Sequence, residues 1–79
     1  MTREEVLNTV QEIFRDIFDD QSLLIENSTT SEDIEDWDSM NHLSLVSAIE
    51  KKFSIRFALG ELQSLNDVGA LIDRLMLKL

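Results

Sequence analysis

One serine stands out because of where it lies in the chain. The segment Asp36–Met40 reads Asp-Trp-Asp-Ser-Met, and it leads from a long acidic stretch into a helix predicted from Ser39. Asp38 is a favoured N-cap residue, because its carboxylate accepts a backbone N–H group of the first turn. The free N–H groups at such a helix start also favour a bound phosphate. The pattern therefore indicates either an ordinary helix cap or a Ser39 hydroxyl that carries a phosphate-linked group.

Other kinds of reactive site are missing or poorly formed in this sequence. The chain has no cysteine and only one histidine, His42, so thiolate and multi-histidine metal sites are excluded. Ser39 and His42 would share one side of a helix start that offers no oxyanion hole, which argues against an esterase. An EF-hand calcium loop fails at Asn41, where glycine is required. We therefore expect neither an enzyme nor a metal protein.

The composition indicates one small acidic domain that covers residues 1–79. The net charge is −9, and hydrophobic residues make up 43% of the chain, which is a globular fraction. The absence of a basic patch disfavours nucleic acids and anionic membrane surfaces as partners. No apolar run reaches the length of a membrane span, and the N-terminus lacks the apolar stretch of a signal peptide. We expect a monomeric cytoplasmic protein.

Helical spacing of apolar residues predicts an all-α fold. A capping box at Thr2 begins a helix of about residues 3–18, and a second helix covers residues 39–53. Residues 58–63 form a short helical segment, and a capping-box-like Ser64-Leu65-Asn66-Asp67 begins the final helix. With no proline to break the helices, the order predicts a four-helix up-down bundle with a short third helix and a long loop between the first two.

The long loop, residues 19–38, differs in kind from the helices around it. It contains eight acidic residues and no Lys or Arg. Loops of this length in compact domains are usually functional or disordered, but this one also contains apolar residues that favour attachment to the core. They are Leu23, Leu24, Ile25 and Ile34. Trp37, the only tryptophan, is interpreted as an anchor of the loop to the core.

The whole chain resembles the acyl carrier proteins. These proteins have a long first helix, a long loop, a second helix that begins at Asp-Ser-Leu or Asp-Ser-Met, a short third helix and a fourth. Asp38-Ser39-Met40 matches that motif. Further matches are the apolar positions of the second helix and of the segment after it, at Leu43, Leu45, Val46, Ile49, Ile55 and Phe57, and the helix end at residues 50–53.

The resemblance implies a function and a cofactor. A phosphopantetheinyl transferase would attach 4′-phosphopantetheine from coenzyme A to Ser39, and Asp38, Met40 and His42 would border the arm. Its thiol would hold acyl groups as thioesters for fatty-acid, polyketide or specialised biosynthesis, in exchange with acyl-loading and acyl-transferring enzymes. The alternatives are a carrier of aminoacyl groups, such as D-alanyl, and an acidic helical adaptor without a prosthetic group.

The second helix divides into two faces around Ser39. At 100° per residue from Ser39, a core-facing arc between about 240° and 340° contains Leu45, Val46, Ile49 and Phe53. Met40, Leu43 and Ser47 fall between about 40° and 100°, and together with Glu50 they are our predicted docking surface for partner enzymes. The alternative is that Met40 and Leu43 pack under the loop. His42, near 300°, either packs against Trp37 or the loop, or borders the acyl pocket or the phosphate of the arm.

Two features depart from typical fatty-acid carriers. Glu35-Asp36-Trp37 precedes the motif where many of those carriers have a glycine, and residues 37–43 look more like a subgroup of stand-alone bacterial carriers. Ser44, Lys51 and Lys52 also stand where the family usually has acidic residues. The partner enzymes of the housekeeping carriers are therefore not assumed for this chain.

Overall fold

A computed structural model describes residues 1–58, Glu61 and residues 67–79, and this part of the chain contains three helices. They are α1 (Arg3–Ile17), α2 (Ser39–Phe53) and α3 (Val68–Lys78). The all-α prediction is confirmed, and the predicted bounds of α1 and α2 agree to within one residue. The predicted short third helix falls mostly on residues outside the described part. None of α1, α2 and α3 has both the length and the apolar character that crossing a membrane requires.

The first helix begins at the predicted capping box. The Thr2 hydroxyl accepts a hydrogen bond from the Glu5 backbone N–H at 3.2 Å, and the Glu5 carboxylate accepts one from the Thr2 N–H at 2.9 Å. Hydrogen bonds to the Glu5 carboxylate from the Thr2 backbone N–H and from the Thr2 side chain lower the pKa of Glu5, because they favour its charged form. The start of α1 is therefore determined locally, by two residues three positions apart.

All three helices and the loop contribute to one hydrophobic core. Trp37 and Phe57 belong to it although neither lies in a helix. The buried hydrophobic residues of the helices are Val6, Val10 and Phe14 of α1, Leu45, Val46 and Ile49 of α2, and Val68, Leu71, Ile72 and Leu75 of α3. The predicted core arc of α2 is thus confirmed, with Phe53 half-buried at its end.

The long loop is attached to α1 by polar side chains as well as by apolar ones. The Gln11 side-chain oxygen accepts the Ile25 N–H at 3.0 Å, and the Arg15 guanidinium donates to the Leu23 carbonyl at 2.8 Å. Ile25 and Ile34 are buried, as predicted. Leu24 is an exception, because 73% of it is exposed to solvent.

The last helix starts later than predicted. Its N-cap is Asp67, which has an extended backbone (φ −144°, ψ 172°) and accepts the Ala70 N–H at 2.7 Å. The prediction that Ser64 begins this helix is therefore wrong, and Ser64 itself lies outside the described residues. Asp67 pairs with Thr30 of the loop in an isolated antiparallel bridge. That pairing requires an extended residue at position 67, so the helix begins at Val68.

Gly69 leaves room for the loop backbone at the start of α3. Its N–H donates to the Asn27 carbonyl at 2.8 Å, and a Cβ atom at this position would lie 2.9 Å from the same oxygen. We expect Gly69→Ala to lower the free energy of unfolding by about 1–3 kcal/mol, because the loop must shift to relieve the contact. Urea denaturation measures this change. Unchanged or increased stability, from the better helix propensity of alanine, would contradict the expectation.

Candidate functional site

Ser39 is the first residue of α2, and its side chain is exposed. The Asp38 carboxylate caps the helix by accepting the Asn41 N–H at 2.8 Å, and the Asp38 carbonyl accepts the His42 N–H at 2.8 Å. Within the described part of the chain, the Ser39 hydroxyl and the backbone N–H groups of Ser39 and Met40 have no hydrogen-bond partner. A free hydroxyl thus lies beside two free backbone donors at the positive end of the helix.

The chain that leads into Ser39 is held by a network of hydrogen bonds. The Asn41 side-chain amide donates to the Asp36 carbonyl at 2.7 Å, and the Asp38 N–H donates to the same carbonyl at 3.0 Å. The Trp37 N–H donates to the Ile34 carbonyl at 3.1 Å. Our sequence interpretation missed the role of Asn41. A short amide side chain in the first helical turn, able to reach back along the chain, is the signal that could have suggested it.

Trp37 anchors the end of the loop, as predicted. Its ring is buried and meets the Phe14 ring edge-on, with ring centroids 5.2 Å apart and planes at 86°. Its indole N–H donates to Nδ1 of His42 at 3.0 Å. The Trp37 side chain therefore connects α1 to the first turn of α2. Trp37 itself lies two residues before Ser39.

His42 packs against Trp37, in agreement with the first of its two interpretations. The two rings stack at a centroid distance of 6.0 Å and an interplanar angle of 24°. Because Nδ1 accepts the indole N–H, the proton of the neutral imidazole in this arrangement is on Nε2. His42 is half-buried on the loop side of the helix, and a contact with a phosphopantetheine arm stays a prediction.

Three of the four predicted docking residues share the exposed face of α2. Met40 is 79% exposed and Leu43 61% exposed, and Ser47 is also exposed. Glu50 differs, because it is half-buried and its carboxylate accepts the Phe57 N–H at 2.8 Å. Large apolar side chains that stay exposed beside a reactive group are typical of a binding surface.

An open groove of about 600 Å³ continues this face toward the C-terminal end of α2. It forms because Ser54 adopts a left-handed conformation (φ 56°, ψ 46°), which ends the helix and turns the chain back. The groove is lined by Ser47, Ala48, Glu50, Lys51, Ile55, Arg56 and Phe57. No pattern in the sequence predicted this groove.

The Asp38 cap gives a direct test of the local geometry. We expect Asp38→Ala to lower the free energy of unfolding by about 1 kcal/mol, because the Asn41 N–H loses its acceptor. Asp36→Ala is the matched control, because Asp36 lies two residues before Asp38, is exposed, and carries the same charge. Thermal denaturation monitored by circular dichroism compares the two variants. Equal stability of both variants would contradict the capping role.

No protein-family model and no curated protein matches this sequence. Among solved structures, the chain is similar to the solution NMR structure of the holo acyl carrier protein from Geobacter metallireducens, with 43% sequence identity and a TM-score of 0.86. The match covers 91% of this chain and 83% of the other. With this identity over most of both chains, the chain described here belongs to the acyl carrier protein family, and it is a carrier rather than an enzyme.

Proposed function

We propose that Ser39 carries 4′-phosphopantetheine and that the protein presents acyl groups, bound to this arm as thioesters, to partner enzymes in the cytoplasm. The observation that carries the proposal is the exposed Ser39 hydroxyl at the start of α2, with no hydrogen-bond partner in the described part of the chain. The similar structure from Geobacter metallireducens is that of a holo protein, which supports the presence of the prosthetic group.

The residues around Ser39 fit a phosphodiester. The Ser39 and Met40 N–H groups are free to donate to phosphate oxygens, while one oxygen of the Asp38 carboxylate accepts the Asn41 N–H. Charge-assisted bonds from backbone N–H groups at a helix start stabilise such an anion. The bound arm supplies a terminal thiol, which the chain itself lacks because it contains no cysteine.

Loading requires chemistry that the partner enzyme must provide. The Ser39 oxygen attacks the phosphorus of coenzyme A that bears the pantetheine, and a new P–O bond forms. The bond from that phosphorus to the oxygen of the second phosphate breaks, and adenosine 3′,5′-bisphosphate leaves. The Ser39 proton passes to a base of the transferase. This chain therefore contributes the nucleophile and its accessible position.

The exposed face of α2 is the proposed docking surface for the transferase and for acyl-loading enzymes. Met40 and Leu43 offer apolar contact area within about one helical turn of Ser39, and Ser47 extends that area along the helix. Glu50 lies at the far end, where its carboxylate holds the segment after the helix. The pathway is determined by the enzymes that dock here.

The proposal is tested by incubating the purified protein with coenzyme A and a broad-specificity phosphopantetheinyl transferase. Intact mass spectrometry is expected to show a gain of one phosphopantetheine for the wild type and none for Ser39→Ala. Ser44→Ala is the matched control, because Ser44 is also exposed and lies more than one helical turn after Ser39. This variant is expected to gain the group. If the wild type gains nothing while a known carrier does, the adaptor interpretation takes its place.

A further inference from the structure

We propose that Lys51 and Arg56 select acyl groups that end in a carboxylate, so that the preferred cargo is a short dicarboxylic acid bound through one end as a thioester. This inference rests on the proposed function at Ser39. It concerns the groove at the C-terminal end of α2, about which neither the family membership nor the attachment motif specifies a ligand.

The first observation is a cluster of unpaired cations in an acidic protein. Four of the seven Lys and Arg residues have defined partners: Arg3 pairs with Asp73, Arg15 bonds the Leu23 carbonyl, and Arg74 and Lys78 both meet Glu61. The other three, Lys51, Lys52 and Arg56, have no ion pair within the described residues. The residues outside that part include no acid. All three free cations therefore lie together at the end of α2.

The second observation is that two of these cations line the groove. Lys51 and Arg56 flank it together with the apolar side chains of Ile55 and Phe57, whereas Lys52 is not part of its wall. Such a groove combines a surface for a short methylene chain with a charged end. An Arg guanidinium binds a carboxylate through two parallel hydrogen bonds, which a terminal methyl group cannot replace.

Neither Glu50, which lines the groove, nor Glu61 forms an ion pair with Lys51 or Arg56 within the described residues. Glu50 accepts the Phe57 N–H at 2.8 Å. Glu61 accepts the Ala58 N–H at 2.8 Å and the Lys78 ammonium at 2.9 Å, and these bonds lower its pKa. The Glu61 charge is thus held by Lys78 and Arg74, and Lys51 and Arg56 remain available to a bound anion.

The third observation is that the groove lies within reach of Ser39. Ser47 and Lys51 lie about 12 and 18 Å along the helix axis from Ser39, and both are within about 120° of it around the axis. A phosphopantetheine arm has about the backbone length of five residues, or roughly 17 Å when extended. An arm that follows the exposed face past Leu43 would place its thiol at the groove, so that a short acyl chain reaches Lys51 and Arg56.

The test compares two acyl groups that differ only at the far end. The wild type is loaded at Ser39 from glutaryl-coenzyme A or from pentanoyl-coenzyme A, which have five-carbon chains ending in a carboxylate or a methyl group. We expect glutaryl, and not pentanoyl, to shift the NMR resonance of the Arg56 side-chain N–H. We also expect the glutaryl thioester to hydrolyse about fivefold more slowly than the pentanoyl one, in keeping with one partly exposed charge pair.

Three variants separate recognition from general electrostatics. Lys51→Gln and Arg56→Gln are expected to remove the difference between the two thioesters. Lys52→Gln removes the same charge from the next residue, outside the groove wall, and is expected to keep the difference. Cations at a helix C-terminus also stabilise the helix dipole, so thermal denaturation of each variant measures that separate contribution.

The outcomes distinguish this inference from the function on which it rests. A wild type that gains no acyl-phosphopantetheine, beside a control carrier that does, would overturn the proposed function. A wild type that loads both groups but shows equal Arg56 resonances and equal hydrolysis rates would overturn the inference alone. Loss of the difference in Lys52→Gln as well as in Lys51→Gln would also overturn it, because the effect would then be that of overall charge.

Discussion

Replacing Phe14 with alanine is expected to lower the free energy of unfolding by about 3–5 kcal/mol. Phe14 has no exposed surface, and its ring contacts both Trp37, at 5.2 Å between centroids, and Phe18, at 5.7 Å. The substitution removes a large side chain from a point where α1 meets the end of the loop. A domain of this size has a total stability of roughly 4–12 kcal/mol, so the variant is expected to be partly unfolded near its working temperature.

Two further substitutions make this prediction specific. Phe18→Ala removes the same group from a half-buried position, and its cost is expected to be smaller. Phe14→Leu keeps most of the buried volume and is expected to cost less than Phe14→Ala. Urea denaturation monitored by Trp37 fluorescence measures all three. A cost below about 1 kcal/mol for Phe14→Ala would show that Phe14 does not hold the loop to the core.

Replacing Leu43 with glutamate is expected to reduce the rate of phosphopantetheine transfer about 10–100-fold while the fold stays intact. Leu43 is 61% exposed and contributes little to the core, so its loss costs little stability. It lies one turn from Ser39, where a transferase must make contact to reach the hydroxyl. Central apolar anchors of an interface commonly contribute 2 kcal/mol or more to binding, and about 1.4 kcal/mol corresponds to a tenfold change.

The control for this prediction is another exposed leucine that lies far from Ser39 in the sequence. Leu77 of α3 is 80% exposed, and Leu77→Glu makes the same change of size and charge. The kcat/KM of transfer is measured for both variants with one transferase, and circular dichroism confirms that both are folded. Equal kcat/KM values for Leu43→Glu and Leu77→Glu would contradict a docking role for this face of α2.

The sequence was sufficient to predict the helices whose ends are determined locally. The Thr2 and Asp38 caps each act over three residues, and the apolar stripes of α1 and α2 repeat over several turns. The Trp37–His42 contact was also foreseen as one of two alternatives, because His42 falls on the core-facing arc of α2. Such features depend on spacing along one segment, and spacing is what a sequence shows directly.

Features that depend on distant residues or on an uncommon backbone conformation were missed. The start of α3 is fixed by pairing between Thr30 and Asp67, which lie far apart in the chain, so the local signal at Ser64 was misleading. The groove depends on the left-handed turn at Ser54, a residue type that adopts this conformation only occasionally. The exposure of Leu24 was missed for another reason, because Leu23, Leu24 and Ile25 follow one another in a loop with no periodic pattern that assigns their directions.

The site itself was predicted in part. Ser39 was placed at an exposed helix start, and Met40, Leu43 and Ser47 on one open face, as the structure has them. The role of Asn41 in holding the Asp36 carbonyl was not predicted, since many asparagines in a first helical turn face solvent. The binding of the arm by Asp38, Met40 and His42 stays a prediction, and NMR of the loaded protein tests it.

The central claim is that one particular serine accepts the phosphopantetheine group. The chain contains several other serines, including Ser44 and Ser47 on the same helix, so a gain in intact mass does not by itself identify the site. Fragmentation mass spectrometry of the loaded protein, with cleavages on both sides of Ser39, locates the group directly. We predict that every modified fragment contains Ser39 and that fragments ending at Asp38 are unmodified. Modification at any other residue, with Ser39 unmodified, would contradict the account.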